Sequence, residues 1–201
     1  MKLTQRQEAV ILGTILGDGY LQKTGLKNAR LRLEHGDAQK EYVLWKGSQF
    51  PKLFLGKPVY LERTHPKTNR VYKYWRWQSN STPVLGKWHS LFYKNNKKCL
   101  PKNLSELLQE SLALAVWYMD DGSFYQNNHN RYSMIYLGRV SSEEAKIAAE
   151  AVARNFDIHP KVYDKKQKGY ALFFPVTETK KLHDLIRPYM LPLFNYKLYS
   201  L

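Results

Sequence analysis

An internal repeat constrains the fold of this 201-residue sequence more than any other feature. An apolar segment at residues 9–16 has a helical pattern and ends in Gly-Asp-Gly at residues 17–19. A second apolar segment at residues 112–119 ends in Asp-Asp-Gly at residues 120–122. The final aspartates of the two segments lie 103 residues apart, which is close to half of the chain. The sequence therefore predicts one structural unit that occurs twice.

Both halves continue with the same order of predicted elements. Each helix leads through a polar stretch to a strand, a second helix, two more strands and a third helix with a basic tail. In the first half these elements lie at residues 30–34, 38–50, 59–64, 70–79 and 85–92, and in the second half at 132–136, 142–156, 160–163, 169–174 and 180–186. We assign this pattern to a repeated αββαββα unit, which has one strand more than the segments located here.

The predicted fold class is therefore α+β, with an N-terminal half at residues 1–100 and a C-terminal half at residues 101–201. No stretch rich in glycine or serine separates the halves, so we expect them to pack as one body about a pseudo-two-fold axis. Helix caps support the assignment, because Thr4 stands three residues before Gln7 and Ser141 introduces the helix at 142–156.

Positive charge is the first indication of function. The chain has 32 Lys and Arg residues against 17 Asp and Glu, which gives a formal net charge of +15. Residues 1–100 carry 19 basic and 6 acidic side chains, whereas residues 101–201 carry 13 and 11. A polyanionic partner is favoured over a surface that is charged only for solubility.

Composition excludes several other classes of protein. Hydrophobic residues make up 43% of the chain, which is too many for intrinsic disorder. The single cysteine, Cys99, excludes an internal disulfide and is more typical of packing than of catalysis. The longest apolar run, residues 112–119, is far short of the ~20 residues of a membrane span, and the N-terminus lacks a signal-peptide pattern. We expect a soluble intracellular protein without a membrane partner.

The aspartates at the ends of both repeated helices are the candidate chemical groups. A carboxylate in the last turn of a helix faces the negative end of the helix dipole, which costs about 0.3–1 kcal/mol. Two such helices brought together would place Asp18 and Asp121 near each other, and a divalent cation between them would stabilise the pair. Each Asp-Gly could instead be a simple helix stop. Its occurrence at equivalent points of two copies favours the metal site.

The same two segments carry a family resemblance. Residues 11–19 read ILGTILGDG and residues 114–122 read LAVWYMDDG, and both resemble the paired motifs of LAGLIDADG homing endonucleases. With its basic tails and the C-terminal segment from residue 186, the chain is similar to the single-chain, intron-encoded subgroup. Val116 and Asp120 stand where small residues are usual. The two helix faces therefore differ, and Asp120 is a rival to Asp121 as the acidic residue.

The resemblance implies a set of site residues. The motif helices would form the central interface, with their last acidic residues bound to divalent metal and basic residues near the scissile phosphates. The metal residues would be Asp18 and Asp121, with the carbonyls of Gly17 and Asp120, and the basic residues would be Lys98 and Lys197. Metal activates water and lysine offsets charge on phosphorus, so each half could cut one strand. Without the resemblance, both lysines are more typical of a solvated tail.

Alternating polar residues on the predicted strands are candidates for DNA contact, since β-ribbons fit the major groove. In the first half, one strand face carries Arg30, Arg32, Glu34, Arg70, Tyr72, Arg76 and Gln78. In the second half, the candidates are Asn127, Asn128, Arg131, Lys161, Lys165, Lys166 and Lys168. An ordinary solvated sheet face is the alternative. The sequence leaves open which side of residues 132–136 faces outward.

The resemblance implies a monomeric endonuclease that grips duplex DNA in a saddle of antiparallel sheets. It would hydrolyse one phosphodiester per strand of a long, pseudo-asymmetric site with Mg²⁺ and leave short 3′ overhangs. We expect Mn²⁺ to substitute and Ca²⁺ to bind without supporting cleavage. The compartment would be an organellar matrix or a bacterial cytoplasm.

Three other functions are weighed against this one. The first is a non-cleaving nucleic-acid-binding protein on the same scaffold, such as an intron-splicing maturase. The second is a generic basic interaction domain. The third, a ββα-metal nuclease suggested by residues 128–130, lacks a suitably placed second histidine.

Overall fold

The computed structural model describes residues 1–127 and 130–199. Two compact units are present: the first comprises Met1–Gln7 and Asp18–Leu91, and the second comprises Glu8–Gly17 and Phe92–Leu201. Most of the first motif helix thus belongs to the second unit. The predicted halves at residues 1–100 and 101–201 describe the sequence repeat, and that boundary stays a prediction.

The predicted αββαββα order is confirmed in both halves, and the strand that the sequence pattern leaves unlocated directly follows each motif helix. The first half contains α1 (Gln5–Leu16), β1 (Tyr20–Lys23), β2 (Ala29–Gly36), α2 (Lys40–Ser48), β3 (Val59–Thr64), β4 (Val71–Gln78) and α3 (Pro83–Phe92). A short connection contains β5 (Tyr93–Lys94), β6 (Lys97–Lys98) and α4 (Leu104–Leu107). The second half contains α5 (Ser111–Asp121), β7 (Gly122–Gln126), β8 (Arg131–Gly138), α6 (Ser142–Phe156), β9 (Lys161–Asp164), β10 (Tyr170–Phe174) and α7 (Val176–Ile186).

Each unit contains one four-stranded antiparallel sheet. The strand order is β1-β2-β4-β3 in the first unit and β7-β8-β10-β9 in the second, so the two sheets are equivalent. Strands β1 and β7 lie in stretches that read as polar loops. They form because each pairs along its length with the strand that follows it. Tertiary pairing here overrides a weak local pattern.

Both predicted helix caps are confirmed. The Thr4 amide donates to Gln7 Oε1 at 3.0 Å, and the Gln7 amide donates to Thr4 Oγ1 at 3.2 Å. At α6, the Ser141 amide donates to Glu144 Oε2 at 2.7 Å, and the Glu144 amide donates to Ser141 Oγ at 3.1 Å. These reciprocal bonds satisfy backbone donors that lack partners inside the first helical turn.

Within the second unit, α1 and α5 approach each other at the backbone. A Cβ atom added to Gly13 would lie 2.4 Å from the Ala113 carbonyl oxygen and 2.7 Å from Val116 Cβ. A Cβ atom added to Gly17 would lie 2.4 Å from Asp120 Cβ. The small residues of one motif thus face the larger residues of the other. This complementarity explains why the two motif faces differ in sequence.

A buried hydrogen-bond network supports α5 from the opposite side. The Tyr118 hydroxyl donates to the Lys197 carbonyl at 2.8 Å. His183 Nδ1 accepts from the Tyr199 amide at 3.1 Å, so the imidazole hydrogen sits on Nε2, which lies 3.0 Å from the Tyr118 hydroxyl and 2.8 Å from Ser133 Oγ. Burial lowers the pKa of His183 to about 4, with the Arg187 charge adding to the effect. His183 is therefore neutral in the folded protein near neutral pH.

Among the described residues, no helix combines the length and the apolar character that crossing a membrane requires.

Replacing Gly13 by alanine should destabilise the protein by roughly 1–3 kcal/mol, because the added methyl group meets a backbone oxygen that cannot rotate away. Urea denaturation would measure the loss. Gly56→Ala is the matched control, since a Cβ atom there meets nothing within 4 Å. An equal effect of both substitutions would contradict close helix contact.

Stability should also depend on the protonation of His183. The pKa of His183 is about 4 in the folded state and near 6.5 when unfolded. As pH falls through this range only the unfolded state gains a proton, so stability should decrease, by on the order of 3 kcal/mol at the acidic end. Above the range His183 contributes no pH dependence.

Denaturation midpoints measured across that pH range would test this, with His183→Gln expected to flatten the slope. His159→Gln is the control, because the His159 side chain is 63% exposed. A slope that His183→Gln leaves unchanged would refute the assignment.

Candidate active site and the sheet faces

The ends of both motif helices carry the predicted acidic residues. The helical hydrogen bonding of α1 continues to Gly17, whose amide donates to the Gly13 carbonyl at 3.0 Å. Asp18 follows directly, in the first unit, with a side chain that is 50% exposed. Helix α5 includes both Asp120 and Asp121, which are half-buried in the second unit.

The two predicted lysines contact the C-terminal carbonyls of the motif helices. Lys98 Nζ donates to the Gly17 carbonyl at 2.7 Å. Lys197 Nζ donates to the Met119 carbonyl at 2.7 Å and lies 3.4 Å from the Asp120 carbonyl. Lys197 is only 7% exposed, so the solvated-tail interpretation of this residue is wrong. Each ammonium group stabilises the negative end of a helix dipole, which offsets the unfavourable position of the neighbouring carboxylates.

Asp121 lines two clefts of the second unit. One cleft, of about 370 Å³, is also lined by Gly17, Lys98 and Arg139. The other, of about 430 Å³, is lined by Asp120, Tyr196 and Lys197. Asp120 additionally packs its side chain against the backbone of Gly17. Asp121 is thus the acidic residue that shares a cleft with each lysine.

The oxygen atoms in this region suit a hard divalent cation. The second unit offers the carboxylates of Asp120 and Asp121 and the carbonyls of Gly17 and Asp120. Carboxylates and carbonyls are the ligands that Mg²⁺ takes in proteins. The carbonyls also accept hydrogen bonds from lysine, but a carbonyl oxygen has a second lone pair. The donor set therefore fits such an ion.

Sequence reasoning missed a histidine beside Asp18. His35 on β2 is buried, and its Nδ1 lies 3.7 Å from Asp18 Oδ2 within the first unit. Nothing in the spacing of the six histidines points to this residue. Only its position on the inward face of β2, which it shares with the buried Leu33, could have distinguished His35 from the other histidines.

The predicted polar residues of the first unit share one face of its sheet. In the register, Glu34 pairs with Arg76 and Arg32 pairs with Gln78. Arg76 is held by Glu34, with its Nε and one terminal nitrogen each 2.7 Å from Glu34 Oε2. Arg30 donates to Gln22 at 2.9 Å. The face therefore presents half-buried arginines whose positions are set by neighbouring side chains.

Further residues extend this face. Tyr72 lies opposite Arg63 on β3, which the sequence reasoning missed because the alternation of β3 is weak. Arg70 lies one residue before β4, with its guanidinium 5.3 Å from the centre of the Tyr72 ring. On the opposite side, Trp77 packs on Gly47 and Phe54 and forms part of the core.

The structure decides which side of β8 faces outward. Ser133 and Ile135 are fully buried, and Ser133 lies against Tyr118 and His183 from the helices. The opposite side carries aromatic residues that contact one another across all four strands. Ring-centre distances are 5.0 Å for Tyr125 and Tyr132, 5.3 Å for Tyr132 and Phe173, and 6.5 Å for Phe173 and Tyr163. We call these four residues the aromatic row.

The polar candidates of the second unit lie around the aromatic row. Arg131 starts β8, and Lys161 pairs with Phe173 at the start of β9. Lys165 donates to the Tyr136 hydroxyl at 3.3 Å. Lys166 and Lys168 form the β9–β10 turn.

The remaining polar candidates belong to the β7–β8 connection. The Asn127 side chain accepts from the Asn130 amide at 2.8 Å, so it also has a structural role in this connection. Asn128 lies outside the described residues.

Comparisons with known proteins agree with this architecture. The profile of the LAGLIDADG DNA endonuclease family matches residues 8–182. The chain is 26% identical to probable intron-encoded endonuclease 1 of Wickerhamomyces canadensis, over 98% of this chain and 85% of that protein. It is also 26% identical to the DNA endonuclease I-ChuI of Chlamydomonas applanata, over 98% and 96%.

Among solved structures, the homing endonuclease I-WcaI bound to its DNA recognition sequence matches with a TM-score of 0.91 and 25% identity. The match covers 100% of this chain and 89% of that one. The two halves have the same αββαββα order, the motif helices are in backbone contact, and the family profile matches most of the chain. The chain belongs to the LAGLIDADG DNA endonuclease family, as a single-chain homing endonuclease that carries both motifs.

Proposed function

We propose that this protein acts as a monomer and hydrolyses one phosphodiester in each strand of a long, pseudo-asymmetric DNA site. The observation that carries the proposal is the duplicated lysine contact: Lys98 and Lys197 each place an ammonium group on the last carbonyls of a motif helix, and each lines a cleft with Asp121. One acid and one lysine per half match the two strands of a duplex.

Asp18 and Asp121 are the proposed metal ligands, with the carbonyls of Gly17 and Asp120 as further ligands. A bound divalent ion would activate water and stabilise the attacking and leaving oxygens. Lys98 and Lys197 would offset the charge that develops on the phosphate. Their hydrogen bonds to backbone carbonyls hold the ammonium groups in place before the substrate binds.

Mg²⁺ is the proposed ion, because the donor set consists of oxygen atoms. Mn²⁺ is expected to replace it, and Ca²⁺ to support binding without cleavage. The protein would act inside cells, in an organellar matrix or a bacterial cytoplasm. A maturase on the same scaffold is not favoured, because both acidic residues and both lysines are present in the sequence.

The outer faces of the two sheets are the proposed DNA-contacting surfaces, one for each half-site. The face of the first unit offers guanidinium and amide groups, which can bond base edges in the major groove. The aromatic row offers apolar contact, for example to thymine methyl groups, and the surrounding lysines offer phosphate contacts. The proposed contact residues remain the fourteen predicted from the sequence, with Arg63 added.

Replacing either proposed acid should abolish cleavage. Asp18→Asn and Asp121→Asn remove a negative charge from the metal site, so a decrease of roughly 100-fold or more in double-strand cleavage is expected. A plasmid library of candidate sites incubated with Mg²⁺ would measure it, beside binding assays in Ca²⁺ to show that both variants still hold DNA.

Asp120→Asn is the informative control, because it keeps the backbone carbonyl and removes only the side-chain charge. A smaller loss is expected than for Asp121→Asn. The reverse order would transfer the second metal-binding role to Asp120. Unchanged cutting by both Asp18→Asn and Asp121→Asn would refute the site.

The turn lysines should contribute affinity without sequence preference. The logarithm of the binding constant should fall with the logarithm of salt concentration, with a slope of about −0.9 per neutralised phosphate. Lys166→Gln and Lys168→Gln should each reduce this slope by about 1. Lys146→Gln is the control, because this exposed residue lies on α6 and not on the sheet. Equal effects at all three positions would contradict local phosphate contact.

A further inference from the structure

The first unit contains a buried lysine, Lys46, that has no role in the proposed reaction. Lys46 on α2 has no solvent exposure. Burial of an ammonium group is costly unless hydrogen bonds and charge compensate it. Lys46 Nζ lies 3.2 Å from His35 Nε2 and 4.2 Å from the centre of the Tyr42 ring. The buried charge is therefore directed at the histidine that neighbours Asp18.

This contact determines where His35 carries its hydrogen. An ammonium group has three donors and no acceptor, so Lys46 donates and His35 Nε2 accepts. The hydrogen of the neutral imidazole must then sit on Nδ1. Nδ1 is the atom that lies 3.7 Å from Asp18 Oδ2. His35 is itself 5% exposed and packs on Tyr42 with ring centres 4.8 Å apart, so it cannot turn freely.

The same contact disfavours His35 as a metal ligand. To bind a cation through Nδ1, the neutral ring would have to carry its hydrogen on Nε2. That hydrogen would face the donors of Lys46 across 3.2 Å. Two donors that face each other in a buried site lose the hydrogen bond between them, which is unfavourable.

We infer that His35 is a positioning residue for Asp18, set in its tautomer by Lys46. The inference rests on the metal-binding role proposed above for Asp18. The N–H group at Nδ1 would hold one carboxylate oxygen and leave the other for the cation. At 3.7 Å the two atoms are beyond hydrogen-bonding distance, so the half-exposed Asp18 side chain must turn toward the ring to accept this hydrogen bond. Ligating carboxylates are commonly held in this way, and loss of the holding group lowers metal affinity 10–100-fold.

The arrangement is specific to the first half. Tyr20, two residues after Asp18, pairs with Arg32, and Ser123, two residues after Asp121, pairs with Met134. By this register the counterpart of His35 is Leu137, which lines a cleft with Asp121. An apolar side chain cannot orient a carboxylate. Asp18 and Asp121 are thus held differently. Loss of the His35 contact should therefore slow the cleavage of one DNA strand more than that of the other.

Nuclear magnetic resonance tests the tautomer without metal or substrate. Long-range ¹H–¹⁵N correlation on the full-length, metal-free protein at neutral pH should show His35 protonated at Nδ1. Asp18→Asn should shift the Nδ1–H resonance, and Lys46→Met should weaken the preference for this tautomer. A hydrogen on Nε2 in the wild type, or an Nδ1–H resonance that Asp18→Asn does not move, would overturn the inference. If Lys46→Met does not fold, the wild-type and Asp18→Asn spectra decide alone.

Two similar substitutions then separate positioning from packing. The amide of His35→Asn places its N–H near the position of Nδ1, whereas His35→Gln places it near Nε2. On a supercoiled plasmid that carries the target, His35→Gln should raise the Mg²⁺ requirement of one strand about 10–100-fold and accumulate nicked circles. His35→Asn should remain near the wild type. Equal impairment by both folded variants would overturn the inference. A wild-type protein that cuts no target would refute the proposed function, and the tautomer of His35 would then be tested by the NMR resonances.

Discussion

Backbone contact between α1 and α5 is the interaction on which the rest of the site depends. Gly13 and Gly17 remove two side chains from α1, and Val116 and Asp120 of α5 occupy the space. The last turns of both motif helices are thereby held side by side in the second unit. Because dispersion and steric repulsion both change steeply with distance, this contact tolerates little added volume. This backbone contact therefore fixes the positions of the reactive groups at the helix ends.

Electrostatic compensation makes these helix ends compatible with a stable protein. Carboxylates at the negative end of a helix dipole are unfavourable, and Lys98 and Lys197 supply opposite charge at the terminal carbonyls. Each lysine comes from the segment that follows the third helix of its half. The backbone of Lys197 is held in turn by the network of Tyr118, Ser133 and His183. In the second unit, the buried hydrogen-bond network therefore helps to position Lys197 at the site.

Two sheets with the same strand order present different chemistry. The first presents arginines that are braced by Glu34 and Gln22, and the second presents the aromatic row. In both sheets the inward side is mainly apolar, with His35 and Ser133 as buried polar residues, and this is the pattern that folding requires of the alternation. Because both halves lie in one chain, each outer face can differ without disturbing the other. The His35–Lys46 contact in the first half is a second difference of this kind.

Much of the architecture follows from the sequence. Residues 59–64 and 142–156 form the predicted strand and helix, and the repeated Asp-Gly ends and most elements of each half are readable from local pattern. The paired lysines are indicated only by the family resemblance. Other features required the tertiary structure. Strands β1 and β7 exist through pairing, the outward side of β8 follows from register, and Asp120 and Asp121 are distinguished by the clefts they line. The physical reason is range: periodicity and capping act within a few residues of the chain, whereas His35 meets Lys46, and Lys197 meets Met119, only after distant segments have packed.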